Sequence, residues 1–166
     1  MYVTVEDLVS TPQNAGRMRD LSDTALSVPT APPGGPVTQA LVHRPDAAGT
    51  ARSITRGVLE DWHVGQAAME SVLLVVSELV TNAVEHALPP VVLRLFRDRA
   101  GDRLWVGVTD GGPAQTDGAW TSSCAREEHG RGLAVVEVLA SGHGIRTHPD
   151  GAATHWAVLD IDEEAG

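Results

Sequence analysis

Lysine is absent from this chain: all 12 basic residues are arginine. That removes several chemistries at once. There is no P-loop lysine, no kinase-strand lysine to pair phosphates, and no Schiff-base amine. Cysteine is nearly absent too. The single Cys124 has no internal disulfide partner, which points to a reducing compartment. No window approaches the run of about 18 apolar residues that a membrane span needs. The N-terminus lacks a basic region followed by an apolar run, so no signal peptide is expected. Positive charge is scarce, with a formal net charge of −10. Nucleic acid and anionic membranes reward clustered Lys and Arg, so neither is expected as a main partner. The location these absences imply is cytoplasmic.

What is present is enough for one domain plus extra length: 166 residues, 42% of them hydrophobic. Residues 1–36 are rich in Ser, Thr, Pro and Gly and end in T-A-P-P-G-G-P, reading as a mobile N-terminal arm or linker. Residues 37–166 read as the domain. A strand is expected near Val37–His43, and a helix near Ala47–Trp62 with Asp46 as N-cap. A long helix over Gln66–His86 is stopped by Leu88-Pro89-Pro90. The β-branched runs Val91–Asp98 and Arg103–Thr109 suit a hairpin turning at Arg99–Asp102. Asp110–His129 is a polar loop too long for a plain connector. Gly130–Gly132 should open a helix to Ala140, with Leu133, Val136 and Leu139 inward. Strands near Gly144–His148 and Thr154–Ile161 close on Pro149-Asp150-Gly151. This order predicts an α+β, two-layer α/β sandwich with a mixed, mostly antiparallel sheet.

The most informative stretch is Ser77–Ala87, S-E-L-V-T-N-A-V-E-H-A. Residues four apart on a helix stand one above the other, so Glu78, Asn82 and His86 form one polar line. Val72, Val75, Val76, Leu79, Val80, Ala83, Val84 and Ala87 form the apolar stripe beside it. Polar groups at the edge of a buried stripe need partners, since an unpaired one costs about 1–3 kcal/mol. Asn offers a hard oxygen that suits magnesium, whose remaining ligands are usually waters and phosphate oxygens. A carboxylate one turn away can take a proton from a hydroxyl or water.

Two further segments carry polar and glycine residues that the fold does not obviously need. Asp110-Gly111-Gly112 ends a hydrophobic strand, where an Asp can accept from an exocyclic amine such as that of adenine. His129-Gly130-Arg131-Gly132-Leu133 precedes a helix, whose free N–H groups bind anions, and Arg126 and Arg131 can reach phosphate oxygens. Each segment alone is more often a turn or a solvated face; together, in this order and spacing, they point to a site.

In that order, the three segments resemble the Bergerat-fold ATPases, the histidine-kinase-like superfamily. The likeness is greatest to bacterial anti-sigma-factor serine/threonine kinases and their single-domain ATP-binding relatives, and covers about residues 38–161. The resemblance implies ATP and magnesium as cofactors. It implies Glu78 as the catalytic carboxylate and Asn82 as the magnesium ligand. It places Asp110 and Gly112 at adenine with Thr154 assisting, His86 near the phosphates, and Gly130, Arg131, Gly132 and Leu133 in the phosphate loop. It implies a sigma factor and an anti-anti-sigma antagonist protein as partners, and a homodimer. The alternative is a nucleotide-dependent protein-binding switch without kinase turnover. A third reading is a scaffold with a degenerate site. One departure motivates it: Ala114 replaces the family's frequent second glycine, after Pro113, giving a stiffer hinge and a short lid over Pro113–His129. No counterpart of a phosphoacceptor helix is recognisable, so histidine autophosphorylation is not expected.

The other conspicuous residues read blandly. His43, His63, His129, His143, His148 and His155 are scattered without zinc-site spacing. Trp62, Trp105 and Trp156 read as core or interface residues.

Overall fold

The chain's most apolar segment forms its longest described helix, and the rest of the fold is arranged around it. The structure, a computed structural model, describes residues 35–98, 100–114 and 126–161. Their elements are β1 (Val37–Leu41), α1 (Ala47–Asp61), α2 (Gln66–His86), β2 (Val91–Arg97), β3 (Arg103–Asp110), α3 (Arg126–Leu139), β4 (Gly142–Thr147) and β5 (Ala153–Asp160). The expected arm, most of the expected lid and Cys124 lie outside the described residues.

The five strands lie in the order β1-β2-β3-β5-β4. Among the described residues every hydrogen-bonded strand pair is antiparallel, where a mixed sheet would contain a parallel one. The reason is topological. The α3 crossover sets β4 in the same direction as β3, but the hairpin then inserts β5 between them. The architecture is the α+β sheet-and-helix arrangement expected from the sequence.

Register decides which face is core. Leu93 stands opposite Val108, Leu95 opposite Val106, and Leu104 opposite Leu159. With Ala157 they form the apolar part of one sheet face, which Asp110 and His155 share at its far end. Against it α2 sets Val72, Val76, Leu79, Val80 and Ala83, and α1 contributes Ala51 and Leu59. Each large side chain buried this way stabilises the fold by about 1.5–3 kcal/mol. By length and composition alone α2 is apolar enough to cross a membrane. Here that apolarity is the stripe it packs into the core.

The opposite sheet face holds Val92, Arg94, Phe96, Thr109 and Trp156, all buried. The Trp105 ring lies over Gly107 and the Trp156 ring over Gly144, where any Cβ would meet the indole. Trp62 joins the helix-side core.

Three local expectations change. Asp46 occupies the N-cap position of α1, but its side chain makes no cap bond and instead meets Arg44 at 3.3 Å. Helix α3 begins at Arg126, four residues before Gly130. Arg, Glu and Glu are good helix formers and carry the helix back past the glycines. Leu133 is 48% exposed, because the inward stripe of α3 runs through Gly132 and Val136 with Leu139 packed against the core.

Candidate functional site

The site lies where the end of α2 meets the end of β3. Leaving α2, the chain cannot continue helically into Pro89 and turns instead. Leu88 N donates to Gly112 O at 2.8 Å and Gly111 N to Leu88 O at 2.7 Å. Ala114 N donates to His86 O at 2.9 Å, and Ala87 bridges to Pro113. The Asp110 loop is thus zipped to the α2 exit, which fixes it relative to the polar line on that helix.

This zipping explains two glycines that the sequence suggested for a flat ring. A Cβ on Gly111 would strike the carbonyl oxygens of Pro89 and Leu88. Gly112 has φ +94° and would strike Gly151 O, so it is strained and crowded for any other residue.

Asp110 is 1% exposed. Its Oδ1 accepts from Gly112 N at 2.8 Å. Its Oδ2 is buried and has no hydrogen-bond partner among the described residues. His155 Nε2 lies 3.5 Å from that oxygen, within ion-pair reach but too far for a good hydrogen bond. A buried carboxylate oxygen left open in this way fits an amine donor from a bound purine. Without one it bears a desolvation cost of about 1–3 kcal/mol.

Glu78 and Asn82 are both half-buried. Helix α3 crosses α2 so closely that a Cβ on Gly132 would meet Glu78 Oε2. The first segment and the third, 54 positions apart in sequence (132 − 78), therefore touch. Neighbouring Ser77 accepts from Arg52 Nη1 at 3.0 Å and donates to Leu73 O, fixing α1 to α2 beside Glu78. Asn82 retains a carbonyl oxygen of the kind magnesium takes, so the donor set fits the ion. His86 stands one turn beyond, its Nε2 3.7 Å from Glu85 Oε2.

Two expected placements differ. Gly130 and Gly132 lie inside α3, so their N–H groups belong to helical turns rather than to a helix start. Thr154 is buried on the sheet face opposite Asp110: its Oγ1 is 2.8 Å from Thr109 Oγ1 and 2.8 Å from His148 Nε2. Side chains alternate along a strand, and Thr154 pairs with Thr109 rather than with Asp110. The residue opposite Asp110 is Ala153, and the polar β5 side chain on its face is His155. Counting by twos from Ala153 would have found His155 once the register was known. The Arg126 and Arg131 side chains lie outside what the structure describes.

A model of the family described as histidine kinase-like ATPase domain matches residues 41–155. No curated protein matches the chain. A solved structure of the RsbU and RsbW domains of Rv1364c from Mycobacterium tuberculosis is similar, at 24% identity and a TM-score of 0.59. That match covers 76% of this chain and 32% of the other, so this chain spans about a third of its length. The SiaB-SiaC complex from Pseudomonas aeruginosa includes a chain 12% identical with a TM-score of 0.48, covered to 89% by a match over 76% of this one. The first likeness supports the fold; nothing rests on the second.

Proposed function

The chain belongs to the histidine kinase-like ATPase domain family, and from that premise we propose that it is a magnesium-ATP-dependent regulator, an anti-sigma-factor serine/threonine kinase acting on a protein antagonist. The observation that carries the nucleotide part is the buried, open Oδ2 of Asp110. Asp110 would hold the exocyclic amine of adenine, and Asn82 would give its carbonyl oxygen to magnesium. ATP, when bound, supplies the phosphoryl group. Glu78 would take the proton from the serine or threonine hydroxyl of the antagonist. Gly132 lets α3 lie directly against that carboxylate, which supports a phosphate loop and a base acting together. With no lysine in the chain, magnesium and arginine would neutralise the phosphates. The partners in this reading are a sigma factor and an anti-anti-sigma antagonist, bound by a cytoplasmic homodimer. What supports them is the resemblance of E-L-V-T-N-A, Asp110-Gly111-Gly112 and Gly130-Arg131-Gly132 to that branch of the family.

Calorimetry of magnesium-ATP binding to the wild type and to Asn82→Ala tests the nucleotide site. Binding that weakens in the variant supports it, and no binding to the wild type overturns it. Glu78→Ala then separates the kinase from a switch without turnover. In a kinase, phosphorylation of the antagonist falls by about 3 kcal/mol of barrier or more while ATP still binds. In a switch, partner affinity is unchanged and no phosphoprotein forms with either protein.

A further inference from the structure

Within the adenine reading of Asp110, on which this inference rests, we propose that His155 is the specificity-determining partner of that carboxylate, donating from Nε2 to N1 of the purine. Three observations converge on it. Asp110 Oδ2 is buried and open, with His155 Nε2 3.5 Å away. The side chain directly opposite Asp110 is Ala153, which has nothing to donate. Thr154, the nearby hydroxyl, is held on the other face by Thr109 and His148. His155 is therefore the polar group that β5 delivers to the Asp110 face. Its side chain is 24% exposed, against 1% for Asp110, so the pair runs from the buried floor toward solvent.

The chemistry of the pair selects a base. The Watson–Crick edge of adenine sets the N6 amine, a donor, beside N1, an acceptor. A carboxylate oxygen beside an imidazole N–H offers the complementary acceptor and donor. Guanine sets the O6 acceptor beside an N1–H donor, so both contacts meet like against like. A site that leaves a buried polar group unpaired rejects the wrong ligand far more strongly than one that merely fits it poorly. Neutral imidazole supplies this donor when its proton sits on Nε2.

The test is calorimetry with magnesium complexes of ATP, 1-deaza-ATP (carbon in place of N1) and GTP. The proteins are the wild type, His155→Phe and His155→Gln. The wild type should bind 1-deaza-ATP about tenfold more weakly than ATP, the worth of one good hydrogen bond. His155→Phe keeps a flat ring of similar size. It should bind ATP about tenfold more weakly and no longer distinguish ATP from 1-deaza-ATP. His155→Gln restores a donor and should recover part of the discrimination. A tenfold penalty that persists unchanged in His155→Phe overturns the inference, and so does a wild type indifferent to N1. The wild-type comparison needs no variant to fold. A wild type that binds no ATP at all overturns the adenine reading and this inference with it, an outcome distinct from the other two.

Discussion

The two ends of β3 carry near-identical signals, Asp-x-x-Gly before the strand and Asp-Gly-Gly after it, and the structure uses them in opposite ways. At the hairpin end the Asp98 and Arg97 side chains close the turn. Asp98 Oδ1 accepts from Gly101 N at 2.8 Å and from Arg103 N at 3.3 Å. Arg97 Nε and Nη2 both donate to Gly101 O, and its Nη1 donates to Trp62 O at 2.6 Å, tying the turn to the end of α1. At the other end only half of the Asp110 carboxylate is used, and the backbone around it is locked to the α2 exit. One aspartate is partly exposed and structural; the other is buried and incomplete. An unpartnered buried acceptor is uncommon in a folded chain, and this is what supports the proposed placing of the ligand at Asp110 rather than at Asp98.

Substitutions at the two ends test this contrast. The largest effect belongs to Asp110→Asn. Its Oδ1 still accepts from Gly112, so the thermal midpoint without ligand stays near that of the wild type. Its Nδ2 donor faces the purine amine, and ATP affinity falls by about 3 kcal/mol, on the order of a hundredfold by calorimetry. A large loss of stability without ligand would mean that the oxygen has a structural partner after all. Next is Gly111→Ala, whose Cβ meets the backbone oxygens of Pro89 and Leu88. Denaturant unfolding should show a loss of about 2 kcal/mol, because a backbone clash cannot be relieved by a rotamer change. Smallest is Asp98→Ala, which removes two turn bonds near solvent. It should cost about 1 kcal/mol in the same measurement and leave ATP affinity unchanged. If Asp98→Ala weakened ATP binding as much as Asp110→Asn, the division of labour between the two ends would be lost.

Much of the fold was legible because its periodicities are strong. The bounds of α2 follow from an uninterrupted stripe and the double proline, and they coincide with the structure. The hairpin β2–β3 follows from two β-branched, apolar runs flanking a turn, and its strands end within a residue of the expected positions. What failed to show was local and depended on neighbours. The glycines of α3 mimic a helix boundary, while the residues before them are themselves helix-forming and carry the helix back to Arg126. Leu133 points outward although helical spacing sets it with Val136 and Leu139; the inward slot beside it belongs to Gly132, whose lack of a side chain leaves room for Glu78. The resemblance sets Thr154 beside Asp110, and a register shift of one residue sends its hydroxyl to the other face.

The sequence by itself determined the elements, their order, and the helix that carries Glu78 and Asn82. Those depend on spacing within one segment, where hydrophobic period and chain-breaking residues act locally. Only the tertiary structure decided that Gly132 lies against Glu78, that Asp110 keeps one oxygen open, and that His155 rather than Thr154 faces it. Those facts depend on strand register and on helices crossing between segments far apart in the chain. A shift of one residue in register exchanges the two faces of a strand, and no pattern within a single segment fixes that choice.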